Sequence, residues 1–124
     1  MTITGLDHYN LRADRATLDA LRDFYVTVVG LQLGHRPPFK SFGYWLYVGP
    51  RDVLHLTEVS PGERRLSQAN TIDHVAFSGI DAETFEARLR AAGIRYTSEE
   101  VPLTGQRQLF FTDPAGNGVE VNFV

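Results

Sequence analysis

The hydrophobic and polar positions of this chain run through one pattern twice. An alternating stretch opens it: Leu6, His8 and Asn10 fall on one face and Tyr9 and Leu11 on the other, as side chains do along a strand. A helical period follows. Asp14 stands where an N-cap belongs, Leu18, Leu21, Tyr25 and Val28 form one stripe, and Gly30 takes the place of a left-handed C-terminal cap. Leu31-Gln32-Leu33 then reads as a short extended piece, and Tyr44 to Val48 and Val53 to Val59 as strands joined by a turn at Gly49-Pro50-Arg51-Asp52. Past the polar stretch Ser60 to Asn70, which reads as a linker, the pattern returns. Ile72, His74 and Ala76 alternate with Val75 and Phe77. Asp81 is the second cap, Phe85, Leu89 and Ala92 the second stripe, Gly93 its stop, and Ile94-Arg95-Tyr96 the second extended piece. Gln108 to Thr112 and Val119 to Val124 are the last strands. The turn between them, Asp113-Pro114-Ala115-Gly116-Asn117-Gly118, is built of residues that preset φ or tolerate positive φ. The pattern predicts an α+β chain of two βαβββ modules, about residues 1–60 and 71–124, within one domain.

Composition narrows the function classes. At 124 residues the chain is one domain by length. The formal net charge is −3, with no basic run or stripe, so the electrostatic footprint of a nucleic-acid binder is missing. No apolar run approaches the roughly 20 residues that span a bilayer, and a secretory leader is not apparent, so no membrane role is expected. Cysteine is absent, which removes disulfides, thiolate nucleophiles and zinc–thiolate sites and agrees with a cytoplasmic protein. Any metal would have to be held by imidazole and carboxylate.

Four such groups repeat with the pattern. Leu6-Asp7-His8 returns as Ile72-Asp73-His74, and His55 and Glu120 take equivalent places in the final strands of the two copies. Independent core histidines have no reason to coincide with the positions of an internal repeat. If the copies pack with approximate two-fold symmetry, His8, His55, His74 and Glu120 can converge on one divalent metal; His55 either ligates it directly or supports the ligands from behind. Glu120 lies among Val119, Val121 and Phe123, where an unpaired carboxylate is costly. Alternation puts Val53 and Thr57 on the His55 face and Glu58 on the other, so Glu58 is not expected to ligate. His35 reads as a solvated loop residue. Three imidazoles and a carboxylate suit Fe(II), Ni(II), Zn(II) or Co(II), and Mn(II) less well.

With these residues in view, the chain resembles the vicinal oxygen chelate superfamily, which includes glyoxalase I, fosfomycin-inactivating enzymes, extradiol dioxygenases and metal-free bleomycin-binding proteins. The resemblance runs over essentially the whole chain. It is carried by Leu6-Asp7-His8, the helix end from Phe24-Tyr25 to Gly30-Leu31, Ile72-Asp73-His74-Val75-Ala76-Phe77, and Asp113-Pro114-Ala115-Gly116-Asn117 followed by Val119-Glu120. It implies that the βαβββ modules form a half-open, cupped barrel around the metal with helices outside. It also implies that modules often pair between two chains of a homodimer, so that His8 and His55 of one chain share a metal with His74 and Glu120 of the other. Glyoxalase I has glutamate where this chain has His55, a departure from the two-carboxylate proton shuttle. His8, His74 and Glu120 match the two-His-one-carboxylate triad of the extradiol dioxygenases.

The activity implied by the resemblance is chelation of two neighbouring substrate oxygens, the metal serving as a Lewis acid for an enolate or oxyanion, with Glu120 as the catalytic proton-transfer group. The alternatives are Fe(II)-dependent ring cleavage of a catechol and, in another class, binding of a drug or metabolite without chemistry. Pro37, Pro38, Phe39, Phe42, Tyr44 and Trp45 make an aromatic stretch that either walls a substrate pocket or covers the helices. Arg36, Lys40 and Arg107 are candidates for a substrate carboxylate or phosphate. Arg36, Phe39, Trp45 and Arg107 are therefore the pocket candidates.

Overall fold

Each copy of the pattern folds as one βαβββ unit in the computed structural model, which describes residues 2–63 and 71–124. The chain divides into two compact units between Leu66 and Ser67. The expected linker lies, beyond Glu63, outside the described residues. In the first unit β1 (Tyr9–Ala13) leads into α1 (Arg15–Phe24), then β2 (Gln32–Gly34), β3 (Gly43–Val48) and β4 (Arg51–Glu58). In the second, β5 (His74–Gly79) leads into α2 (Ala82–Ala91), then β6 (Thr97–Glu100), β7 (Arg107–Thr112) and β8 (Gly118–Phe123). The sheets are ordered β1-β4-β3-β2 and β5-β8-β7-β6. In both, the first strand pairs parallel to the last and the other pairings are antiparallel. The α+β class and the two modules are as the pattern predicts.

The helices form where their caps and stripes place them. Asp14 accepts from the Thr17 backbone N–H at 2.8 Å, and Asp81 from that of Thr84 at 3.2 Å. Leu18 and Leu21 of α1 are buried together with Leu46, Leu54 and Leu56 of the sheet beneath. Each such leucine stabilises the fold by about 1.5–3 kcal/mol. Phe85 of α2 meets Phe111 and Phe123 at 6.0 and 5.8 Å between ring centroids. Each sheet therefore packs one face against its helix. Among the described residues no helix is long and apolar enough to cross a membrane.

Five departures from the pattern stand out. β1 starts at Tyr9 rather than Leu6, because Tyr9 pairs with Leu54 and the next residue of β4, Val53, is bulged out of the ladder. β4 begins at Arg51, shortening the predicted turn to Gly49-Pro50. After Phe24 the helix widens into one π turn, Tyr25–Val29, with the Gly30 and Leu31 N–H groups both reaching the Tyr25 carbonyl. Ala92 is exposed at the end of α2 instead of extending its stripe. β6 starts at Thr97, not Ile94, because the preceding residues stay folded on α2: Ile94 N–H reaches the Leu89 carbonyl, and Tyr96 donates to Glu86 and accepts from Arg90.

Candidate metal centre

In the second unit the alternation of β8 turns Val119, Val121 and Phe123 toward α2 and leaves Glu120 and Asn122 on the opposite face. The pairing register brings Ala76 of β5 and Phe110 of β7 beside Glu120, so His74, two residues from Ala76, shares that face. His74 Nε2 lies 2.9 Å from Glu120 Oε1. Glu120 is only 6% exposed, and its other partner among the described residues is the Gln108 amide, at 3.2 Å from Oε2. Among the described residues no lysine or arginine pairs with this carboxylate, which is buried with an amide and an imidazole and so placed for a cation. His74 Nδ1 bonds Asp73 at 2.7 Å, which raises the imidazole's pKa; partial burial opposes the shift and Glu120 adds to it.

The first unit repeats half of this and alters the rest. His8 Nδ1 bonds Asp7 at 2.6 Å, as His74 does Asp73, so both rings leave Nε2 to point elsewhere. His55 is 7% exposed on β4 and is bonded the other way round, through Nε2 to Asp52 at 2.7 Å. That bond to His55 holds the Asp52 carboxyl below the usual aspartate range. The rings of His8 and His55 stack at 3.7 Å, and Trp45 stacks on His55 at 4.0 Å and 7°. Donor atoms of His8, Asp52 and His55 lie within 4.8 Å of one another, a spacing from which a metal site can close.

Asp52 had no expected role. Simple alternation puts it on the face opposite His55, but the register shift between Leu46 and Tyr47 skips Val53 and turns Asp52 to the His55 side. The same bulge removes Val53 from the regular His55 face predicted for it. Asp7 and Asp73 carried a signal that alternation does not weigh, an aspartate before histidine in both copies. Gln108 becomes visible only through the β7–β8 register. Glu58 does point away from His55, toward α1, where it binds Arg15 at 2.9 Å.

The pocket candidates separate by face. Phe39 packs near Trp45 at 6.0 Å, and Arg36 lies over the Phe39 ring at 5.0 Å, so these three share the His55 face. Tyr44 and Phe42 lie on the α1 side, with Tyr44 donating to Asp19 and accepting from Arg22. Arg107 is turned to the α2 side of its sheet, bound to Glu86 and away from Glu120. His35 is exposed, as expected.

A family described as Glyoxalase/Bleomycin resistance protein/Dioxygenase superfamily matches residues 5–121 of the sequence. The chain belongs to this superfamily. A comparison with curated proteins gives no match. Among solved structures, a lactoylglutathione lyase from Agrobacterium tumefaciens is 26% identical, with a TM-score of 0.69, covering 99% of this chain and 96% of that one. An antibiotic-binding protein from a Streptomyces species is 22% identical (TM-score 0.70; 99% and 98% covered). A genomically encoded fosfomycin resistance protein from Listeria monocytogenes is 16% identical (TM-score 0.74; 99% and 95% covered). The superfamily thus contains lyases and binding proteins on one fold. Its members typically hold a divalent metal, and the nitrogen and oxygen donors present here fit one: a buried carboxylate with no lysine or arginine partner among the described residues, and two histidines whose Nδ1 atoms are tied back by aspartate.

Those aspartates give a first test. Asp73→Ala frees the His74 ring to rotate and lowers its basicity, so metal affinity should fall about 10-fold or more with the far-ultraviolet circular dichroism unchanged. Competition against a chromophoric chelator measures it; an unaltered affinity would show that Asp73 does not orient the ligand.

Proposed function

We propose that the chain is a divalent-metal-dependent enzyme of the lyase or isomerase type, with His8, His55, His74 and Glu120 as the ligands of one transition metal (Fe, Ni, Zn, Co or Mn). When bound, the metal supplies a Lewis acid for two adjacent oxygens of a small substrate. The chain's own residues do the rest. Asp7 and Asp73 hold the Nδ1 protons of His8 and His74, leaving Nε2 of each as the donor. Gln108 fixes one oxygen of Glu120, and the other, which faces His74 Nε2 at 2.9 Å, is the one to accept and return a substrate proton. Trp45 holds the His55 ring flat and shields it from water on one side. The two modules act as one domain, in a cytoplasmic homodimer, on a small molecule without nucleic-acid or membrane partners.

The observation that carries this reading is the buried carboxylate of Glu120 beside His74, with no lysine or arginine among the described residues to balance it. A second reading, Fe(II)-dependent ring cleavage, is favoured by the two-His-one-carboxylate composition of His8, His74 and Glu120. Metal analysis of protein purified without a histidine tag, beside a His74→Ala variant, tests the proposal. About one transition-metal ion per chain, lost in the variant, is expected. Oxygen uptake with catechols on the Fe(II)-loaded protein separates the two reactions. No metal, and none taken up from added Fe(II), Ni(II), Zn(II), Co(II) or Mn(II), would leave a binding protein in place of an enzyme.

A further inference from the structure

The face of the first unit that carries His55 also carries a guanidinium without an acid. Arg12, Arg15 and Arg22 each pair with a carboxylate. Among the described residues half-buried Arg36 bonds only Ser41, through Nη1 to its carbonyl at 2.8 Å and Nη2 to its hydroxyl at 3.0 Å, and the buried Nε has no acceptor there. The group is held firmly, yet its charge is balanced by neutral oxygens alone. Of its five N–H bonds two are used and one points inward, which leaves two open.

Its surroundings are shaped to keep it there. A Cβ at Gly43 would come within 3.0 Å of Arg36 Cζ and Nε, besides meeting the Leu56 carbonyl, so a side chain at 43 would lift the arginine off the sheet. From Arg36 a continuous run of π faces leads back to the candidate ligands: Phe39 at 5.0 Å, Trp45 at 6.0 Å from Phe39, and His55 stacked on Trp45 at 4.0 Å. Phe39 is 53% exposed, so this run has an open side.

We infer that Arg36 is the anion-binding end of the substrate site, and that the substrate is a planar or apolar molecule with adjacent oxygens at one end and a carboxylate or phosphate at the other. The inference rests on the chelating enzyme proposed above, to which it adds the substrate class. The oxygens belong at the imidazoles, the flat middle on Trp45 and Phe39, and the anion on the two open N–H bonds of Arg36, where planar guanidinium recognition is strong. Arg107, the other arginine singled out by sequence, is ion-paired on the far side of its own sheet and takes no part.

The test measures binding, not turnover. Calorimetric titration of the Zn(II)-loaded and metal-free protein with catechol, 3,4-dihydroxybenzoate and 3-(3,4-dihydroxyphenyl)propanoate varies only the acid and its reach. At least one acid should bind about tenfold tighter than catechol, the worth of a charge-assisted bond. In Arg36→Gln that preference should collapse to within about twofold, with catechol affinity and metal content unchanged. Acids that bind no tighter than catechol, a preference that survives in Arg36→Gln, or no binding of any acid would each overturn the anion site. The metal arm reads the other proposal separately. If zinc does not strengthen catechol binding while the acid preference still follows Arg36, the chelating reading falls and the anion site stands.

Discussion

Replacing Glu120 by leucine should abolish metal binding and at the same time make the metal-free protein more stable, by about 1–3 kcal/mol. The carboxylate is 6% exposed in a strand whose neighbours Val119, Val121 and Phe123 form the core against α2. Without metal, the His74 imidazole and the Gln108 amide are what offset its desolvation among the described residues. Removing it strands little. Gln108 still donates to Asn122 at 2.9 Å, His74 keeps Asp73, and the half-exposed His74 ring can turn its Nε2 to water. Leucine is close in volume and adds apolar contact with Phe110 across the ladder. Urea unfolding of chelator-treated protein, followed by circular dichroism, gives the stability difference; metal analysis gives the other half. A gain in stability with loss of metal means that Glu120 is kept for binding at the expense of the fold. A loss of more than about 1 kcal/mol would make Glu120 a structural anchor between β5, β7 and β8, and the proposed function would lose its main support.

Much of this arrangement is legible in the chain before any coordinates. The repeat announces itself because each module needs the same punctuation: aspartate before the helix, glycine after it, and Asp-His at the mouth of the first strand. These are local signals, set by backbone conformation within a few residues, and Gly30 and Gly93 duly adopt φ values of 99° and 70°. What escapes is whatever depends on register between strands. A single bulged residue, Val53, reverses the face of Asp52, and no alternation rule within β4 foresees it. Arg36 and Arg107 look equivalent as charged residues near a strand, yet one lies with Trp45 and the other pairs with a helix. The aromatic stretch splits the same way, since Tyr44 and Trp45 are neighbours on opposite faces. Pairing within each unit joins His8 with His55, and His74 with Glu120.

Register also makes a non-ligand glycine part of the centre. Gly118→Ala should cost the metal site more than its small size implies. Gly118 opens β8 directly opposite His74, and its φ is not in the left-handed region, so the backbone conformation itself would accept alanine. Space would not. A Cβ there would run into the Asp73 carbonyl and come 3.0 Å from His74 Cβ. The carbonyl cannot give way like a side chain, so the entry to β5 must move off β8, carrying Asp73 and His74 together and drawing Nε2 away from Glu120. Overpacking of this kind costs about 1–3 kcal/mol, and the displaced ligand should lower metal affinity about tenfold or more. Gly93→Ala is the matched control, because it burdens a positive φ of 70° but has nothing within 4 Å of the new methyl group. It should destabilise the α2 cap and leave metal affinity unchanged. Equilibrium dialysis and urea unfolding on both variants separate the two effects. Equal metal affinity in Gly118→Ala and wild type would mean that His74 is not held in its working position by the β5–β8 pairing, and that the ligand geometry must be set elsewhere.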